Sequence, residues 1–166
     1  MSQAHLIDAR RFSRENRVLE GVLPVSDLQR LADLLAAEAG ENGMVWQLSG
    51  ETGERGEPRL RLRIDGNLPL RCQRCLATMR EPVAIDRCLE LVAEDAAVTQ
   101  EELEDEQMDV LPVGKILDVA ALVEEEILLA LPLVPRHAAC ALPQDMSCAD
   151  TPHPFAGLAE LVGKHP

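Results

Sequence analysis

Cys72 and Cys75 stand two residues apart in the stretch LRCQRCLATMR, with Arg71 before the pair, Arg74 inside it and Arg80 beyond it. C-x-x-C is a compact way to offer two sulfurs to one metal ion, because a tight turn points both the same way; zinc then wants four ligands in all. Downstream, PRHAACALPQDMSC repeats the spacing in His137 and Cys140 and adds Cys148. Cys72, Cys75, Cys140 and Cys148 would complete a tetrahedral set, with His137 a substitute for one of them. The two halves lie far apart in sequence, so such a site would pin the C-terminal segment onto the sheet rather than form a finger. Two other readings stay open: reduced thiols in a turn and a tail, and a redox pair. The redox reading is the weaker, since a thioredoxin-like pair opens a helix in a βαβ unit and these cysteines lie between candidate antiparallel strands. Cys88, inside a candidate strand, reads as a small buried hydrophobe.

A second group of residues is basic. In RLRLRI, Arg59, Arg61 and Arg63 take one strand face and Leu60, Leu62 and Ile64 the other. With Arg71, Arg74 and Arg80 close by in sequence, this face could track an RNA phosphate backbone. The plainer alternative is a solvated face whose arginines pair with Glu51, Glu54 and Glu57. Aromatic residues make up 2% of the chain, which argues against a platform for stacking bases. Any RNA would be read as backbone and shape.

The formal net charge of −13 is unevenly spread. Acids and arginines balance over residues 1–89, whereas residues 90–126 hold thirteen acids and one base, Lys115. A uniformly acidic protein binds nucleic acid poorly. A balanced, arginine-rich half beside an acidic half could instead offer one face to phosphate and another to a basic protein.

The elements that must position these groups follow from pattern. Residues 17–23 form a candidate strand ending at Pro24. Ser26 reads as a helix N-cap with Gln29 in capping-box position, and Leu28, Leu31, Leu35 and Ala39 recur at helical spacing before Gly40, so a first helix is expected over residues 27–39. Strands are expected over residues 44–48, 59–64, 79–85 and 88–92, with Asp65-Gly66-Asn67 a turn, or a bulge if the strand runs on. Residues 93–109 read as an acidic mobile loop. A second helix starts at Asp118 as N-cap and stops before Pro132. Glu126 falls on its apolar face and needs a partner or must lose its charge. Beyond it lies a tail, about residues 136–166, with an amphipathic piece that carries Phe155. The expected fold is α+β: an antiparallel sheet that could be strongly curled, with two principal helices, in a single domain of 166 residues.

No serine–histidine–acid set, glycine-rich phosphate loop or HExxH motif stands out, so the chain is not expected to be an enzyme. The N-terminal MSQAHLIDARRFSREN has no apolar h-region, and ILLALPLVP is too short to span a bilayer. These features point to a cytoplasmic protein without membrane contact, whose cysteines stay reduced or bind metal.

LRCQRCLATMREPV, DVAALVEEEILLALPLVPRH and HPFAGLAEL together resemble the bacterial YceD family, named for accumulation of large-subunit ribosomal RNA. The resemblance implies a non-catalytic role in ribosome biogenesis, on or near that RNA or an assembly intermediate of the large subunit. By position it singles out Cys72, Cys75, Glu126, Pro132, His137 and Phe155. Beside it stands a second reading, an acidic adaptor or chaperone for a basic ribosomal protein that touches no RNA.

Overall fold

The computed structural model describes residues 6–36, 43–95 and 109–142. Its centre is a five-stranded sheet of β2 (Val18–Pro24), β3 (Gly43–Thr52), β4 (Pro58–Arg71), β5 (Thr78–Ala93) and β6 (Asp109–Val113), in that order across the sheet. The pairings from β2 to β5 are antiparallel, while β6 runs parallel to β5. The sheet is therefore mixed rather than wholly antiparallel. The 94–108 connection has the dozen or more residues that a parallel crossover needs. A small second sheet pairs β1 (Leu6–Ile7) with β7 (Leu117–Asp118). The sheet does not close; β2 and β6 are its edges. The fold is α+β.

Alternation decides which face is covered. Leu60, Leu62, Ile64, Leu68 and Leu70 of β4 are fully buried or nearly so, as are Met44, Trp46 and Leu48 of β3 and Leu89 and Leu91 of β5. Each buried aliphatic side chain contributes roughly 1.5–3 kcal/mol. Helices α1 (Ala9–Arg14) and α2 (Val119–Ala130) supply Phe12, Val119, Val123 and Ile127 to the same core. The odd-numbered residues of β4 look the other way, onto a face that carries the arginines.

The β4–β5 hairpin dominates the sheet. Its register runs unbroken from Arg59↔Glu90 to Arg71↔Thr78. Residues 65–67 form neither a turn nor a bulge, and residues 79–92 belong to one strand, not two. Gly66 lets the strand pass flat beneath Met44, whose sulfur would lie 2.6 Å from a Cβ at that position.

The helix expected over residues 27–39 does not form in its described part. Two 3₁₀ turns, Val25–Asp27 and Gln29–Leu31, take its place, with Leu28 between them at φ −77°, ψ 78°. Tertiary bonds outcompete helical ones there. The Arg30 amide donates to Glu124 Oε1 of α2 at 2.7 Å, the Ala36 amide donates to the Pro69 carbonyl at 2.8 Å, and Leu35 bridges Leu70. Ser26 leaves its cap position and contacts Asp27 instead. The other principal helix lies earlier: Asp8 caps α1 by accepting from the Arg11 amide at 3.0 Å. Helix α2 starts where the sequence places it, with Asp118 accepting from the Ala120 and Ala121 amides. Among the described residues, no helix is long and apolar enough to cross a membrane.

Candidate metal centre

Six residues reverse the chain between β4 and β5. The Cys72 amide donates to the Ala77 carbonyl and the Leu76 amide to the Cys72 carbonyl, both at 2.9 Å. Leu76 takes a left-handed conformation, φ 61°, which costs a non-glycine residue about 1 kcal/mol or more. That turn sets Cys72 and Cys75 side by side at the tip of the hairpin. The second half arrives from α2. Pro132 prevents the helix from continuing. The extended chain then lays the Pro135 carbonyl against the Gln73 amide at 2.9 Å, which carries His137 and Cys140 to the tip. Arg74 Nη1 donates to the Cys140 carbonyl at 3.3 Å and ties the two segments again.

One candidate ligand atom from each of Cys72, Cys75, His137 and Cys140 lies within 4.8 Å of every other. Cys72 Sγ is 3.8 Å from Cys140 Sγ, and Cys75 Sγ is 3.4 Å from His137 Nδ1. A disulfide would need about 2.05 Å, and all four described cysteines are free. Metal–sulfur bonds of about 2.3 Å and metal–nitrogen bonds of about 2.0–2.1 Å give a tetrahedron with S···S edges of about 3.8 Å and S···N edges of about 3.6 Å. The observed separations match those edges. Cys72 is fully buried and the other three are partly buried.

The electrostatics suit a cation as well. The backbone N–H of Cys75, then those of His137 and Arg74, together with the Cys75 thiol, hold the Cys72 thiol well below its ordinary value, at about 5, although burial opposes them. Burial pushes the Cys140 thiol up, and its hydrogen bonds with Cys72 and Cys75 push the same way. One thiolate thus stands ready beside the Cys140 thiol, which holds its proton, and a divalent ion would displace that proton. Three sulfurs and one imidazole nitrogen at these distances could hold a metal ion. Cys148 is not needed to fill the set, and it lies outside the described residues, as does Phe155.

The six arginines singled out by the sequence split into two groups. Arg59 donates to Glu90 at 3.1 Å and lies 3.9 Å from Glu57. Arg61 makes a two-pronged pair with Asp86, at 2.7 and 2.9 Å, and Arg63 shares the same carboxylate at 3.3 Å. The hydrogen bond from Arg61, reinforced by Arg63, lowers the Asp86 carboxyl to about 2. Three guanidinium groups here meet three carboxylates, Asp86 and Glu90 of β5 and Glu57 just before β4. Cys88 lies partly buried beside Arg61, and burial raises its thiol.

Arg71, Arg74 and Arg80 surround the cysteine turn instead. Arg71 and Arg80 are exposed diagonal neighbours on the hairpin's outward face. Neither they nor Arg74 form an ion pair among the described residues. Arg71 lines a cavity of about 260 Å³ together with Asp33, Leu34, Cys72, Gln73, Leu76 and Pro135.

Glu126 is 12% exposed and lies 3.9 Å from Arg87 of β5. Burial raises its carboxyl; Arg87 opposes the shift, while Asp109 and Glu125 add to it. It joins α2 to the sheet. Sequence reasoning passed over Arg87, which sits on the inward-facing register of β5, and Arg136, an exposed cation directly before His137. Arg136 carried a readable signal, since it flanks the second half of the ligand set as Arg71 flanks the first.

A family model described as large ribosomal RNA subunit accumulation protein YceD matches residues 60–162, well over half of the chain and both halves of the cluster. Neither the curated proteins nor the solved structures gave a match.

Proposed function

The chain belongs to the YceD family, and from that premise we propose that it supports accumulation of large-subunit ribosomal RNA by binding to the RNA or to an assembly intermediate, with zinc as a structural clamp. The observation that carries this reading is the convergence of Cys72, Cys75, His137 and Cys140 within the matched span. A soft S₃N set, with two separations close to tetrahedral edges and every ligand atom within 4.8 Å of the others, suits zinc. Four protein ligands leave no open position for a substrate or an activated water, which favours a structural role and a protein that acts without catalysis. Zinc supplies neutralisation of the clustered thiolates. The chain's own contribution is the join between Gln73 and Pro135 and between Arg74 and Cys140. Reduced cysteines this close together fit a cytoplasmic setting.

The test is sedimentation of the tagged protein with ribosomal particles, paired with native mass spectrometry. One bound zinc, lost in Cys75→Ser, and co-migration with large-subunit precursors are expected. A metal-free protein of undiminished stability ends the clamp, and absence from every precursor fraction ends the assembly role.

A second reading has an observation of its own. The chain carries −13 formal charge while its arginine stripe is matched by Asp86 and Glu90, which suits an acidic adaptor for a basic ribosomal protein. Deleting residues 97–107 separates the two: the adaptor loses its partner, whereas RNA binding survives.

A further inference from the structure

At the hairpin tip, unlike along the strand where the arginines are densest, the arginines carry no paired carboxylate among the described residues. Asp86 and Glu90 occupy Arg61, Arg63 and Arg59 at the base. At the other end, Arg71 and Arg80 share the outward face with no carboxylate paired to either among the described residues. Asp33 lines the cavity beside Arg71 without forming an ion pair. The segment that brings His137 and Cys140 also brings exposed Arg136, one residue from the Pro135 carbonyl that meets the Gln73 amide at 2.9 Å. Cations from two distant stretches of chain are therefore gathered by the same join that assembles the metal ligands.

The two ends of the acidic stretch are anchored away from this cluster. Residues 94–108 leave from the end of β5 and return at Asp109, which pairs with Leu89. Strand β5 is 16 residues long, so its two ends are separated by about 50 Å of strand at about 3.3 Å per residue. The acidic segment is rooted at the far end from the tip.

We propose that the tip of the β4–β5 hairpin is a phosphate-binding site for RNA, in which Arg71, Arg80 and Arg136 contact the backbone and the Cys72–Cys75–His137–Cys140 centre holds the two segments in register. Arginine forks suit phosphate oxygens in pairs. Arg74 is a positioning residue here, since its guanidinium is engaged by the Cys140 carbonyl. The partner class rests on the proposed role in ribosomal RNA accumulation; the location of the site does not.

The experiment measures binding of the full chain to a short labelled hairpin of large-subunit ribosomal RNA across a salt series. Zinc content and thermal melting confirm folding of each variant. Replacing Arg71, Arg80 and Arg136 together by glutamine should weaken binding about tenfold or more and flatten the salt slope by about 2–3, close to one for each phosphate no longer neutralised. Arg→Lys at the same positions should keep most of the slope. Arg61→Gln with Arg63→Gln should leave both affinity and slope unchanged. Chelation of the metal should weaken binding without any substitution. An unchanged salt slope in the triple glutamine variant, or a loss that follows Arg61 and Arg63, overturns the proposal. If the wild-type chain ignores the RNA but stays on precursor particles after nuclease treatment, the tip is a protein contact: this inference falls and the assembly role stands. Absence from particles with RNA binding intact sinks the assembly role alone.

Discussion

The two ends of the β4–β5 hairpin are built from the same strands and held by different physics. At the base, alternation buries Leu60, Leu62 and Ile64 on one side and pairs Arg59, Arg61 and Arg63 with Glu90 and Asp86 on the other. Each of those arginines has a carboxylate of the chain as its partner. At the tip the strands part, Leu76 accepts a left-handed conformation, and three thiols gather within reach of an imidazole. A self-sufficient region and an incomplete one thus share a single ladder. The incomplete one is where a ligand has something to supply: a cation inside, an anion outside.

Removing the metal should have the largest effect and should fall on the tip. Structural zinc contributes about 10–16 kcal/mol in isolated finger peptides, but here the base keeps its own core. Cys75→Ser, or chelation, should therefore cost the whole domain about 4–6 kcal/mol, a drop of roughly 10–20 °C in Tm. Calorimetry with and without chelator is the check. Hydrogen exchange should accelerate most at residues 72–77, while amides of residues 60–64 lose protection only by the fall in global stability. Uniform loss of protection would mean that the two ends are one cooperative unit, and the contrast would fail.

The reverse experiment strikes the base. Leu62 is fully buried beneath the arginine stripe, so Leu62→Ala should cost about 3 kcal/mol through lost transfer energy and a residual cavity. Zinc stoichiometry by native mass spectrometry should stay at one. A variant that lost both stability and metal would show that the tip depends on the base rather than on its own ligands.

How much of this was legible in sequence follows the same division. The candidate ligands could be named because C-x-x-C and H-x-x-C are local spacings, although the sequence put Cys148 ahead of His137, and Asp118 before Val119 announced α2 through a local cap. Single-strand alternation likewise gave Arg61 outward and Leu62 inward. What could not be read was whom Arg61 meets. Asp86 lies 25 residues away and is placed by a register that runs without a bulge through Asp65-Gly66-Asn67. Residues 27–36 misled for a related reason. Leu28 and Leu31 have helical spacing, yet Glu124, Pro69 and Leu70 claim the neighbouring backbone groups, and none of these is visible from within the segment.

Glu126 offers a smaller test on the inward side. Its folded pKa is raised by burial, so the native state binds a proton more tightly than the unfolded chain does. Stability should fall as pH rises from the unfolded carboxyl value through the raised folded one. Glu126→Gln should remove that slope and, near neutral pH, leave the protein as stable or more so. The gain should be at most about 1 kcal/mol, because half-exposed Arg87 returns part of the cost. Urea melts of the two proteins at a series of pH values decide it. A steeper slope in the variant would mean that the Arg87 pair outweighs desolvation.

The smallest effect on stability should come from Asp86→Asn, and it bears most directly on why the two ends differ. Arg61 and Arg63 lower the folded pKa of Asp86 to about 2. The pair's contribution is then present above the unfolded carboxylate value and lost as pH falls toward 2. Both partners are about half exposed, at 41% and 46% for Arg61 and Asp86, so solvent screens the pair and the loss at neutral pH should be slight. Binding should respond more than stability. With Asp86 neutral, Arg61 and Arg63 become a free cation pair on the outward face, and the salt slope for RNA should steepen toward that of a protein engaging two further phosphates. If it does, the base is silent because it is neutralised in place. If the slope stays as in the wild type, pairing is not what distinguishes the two ends; the distinction then lies in shape, in the way the join of Pro135 to Gln73 brings the segment carrying Arg136 to the strand ends that carry Arg71 and Arg80.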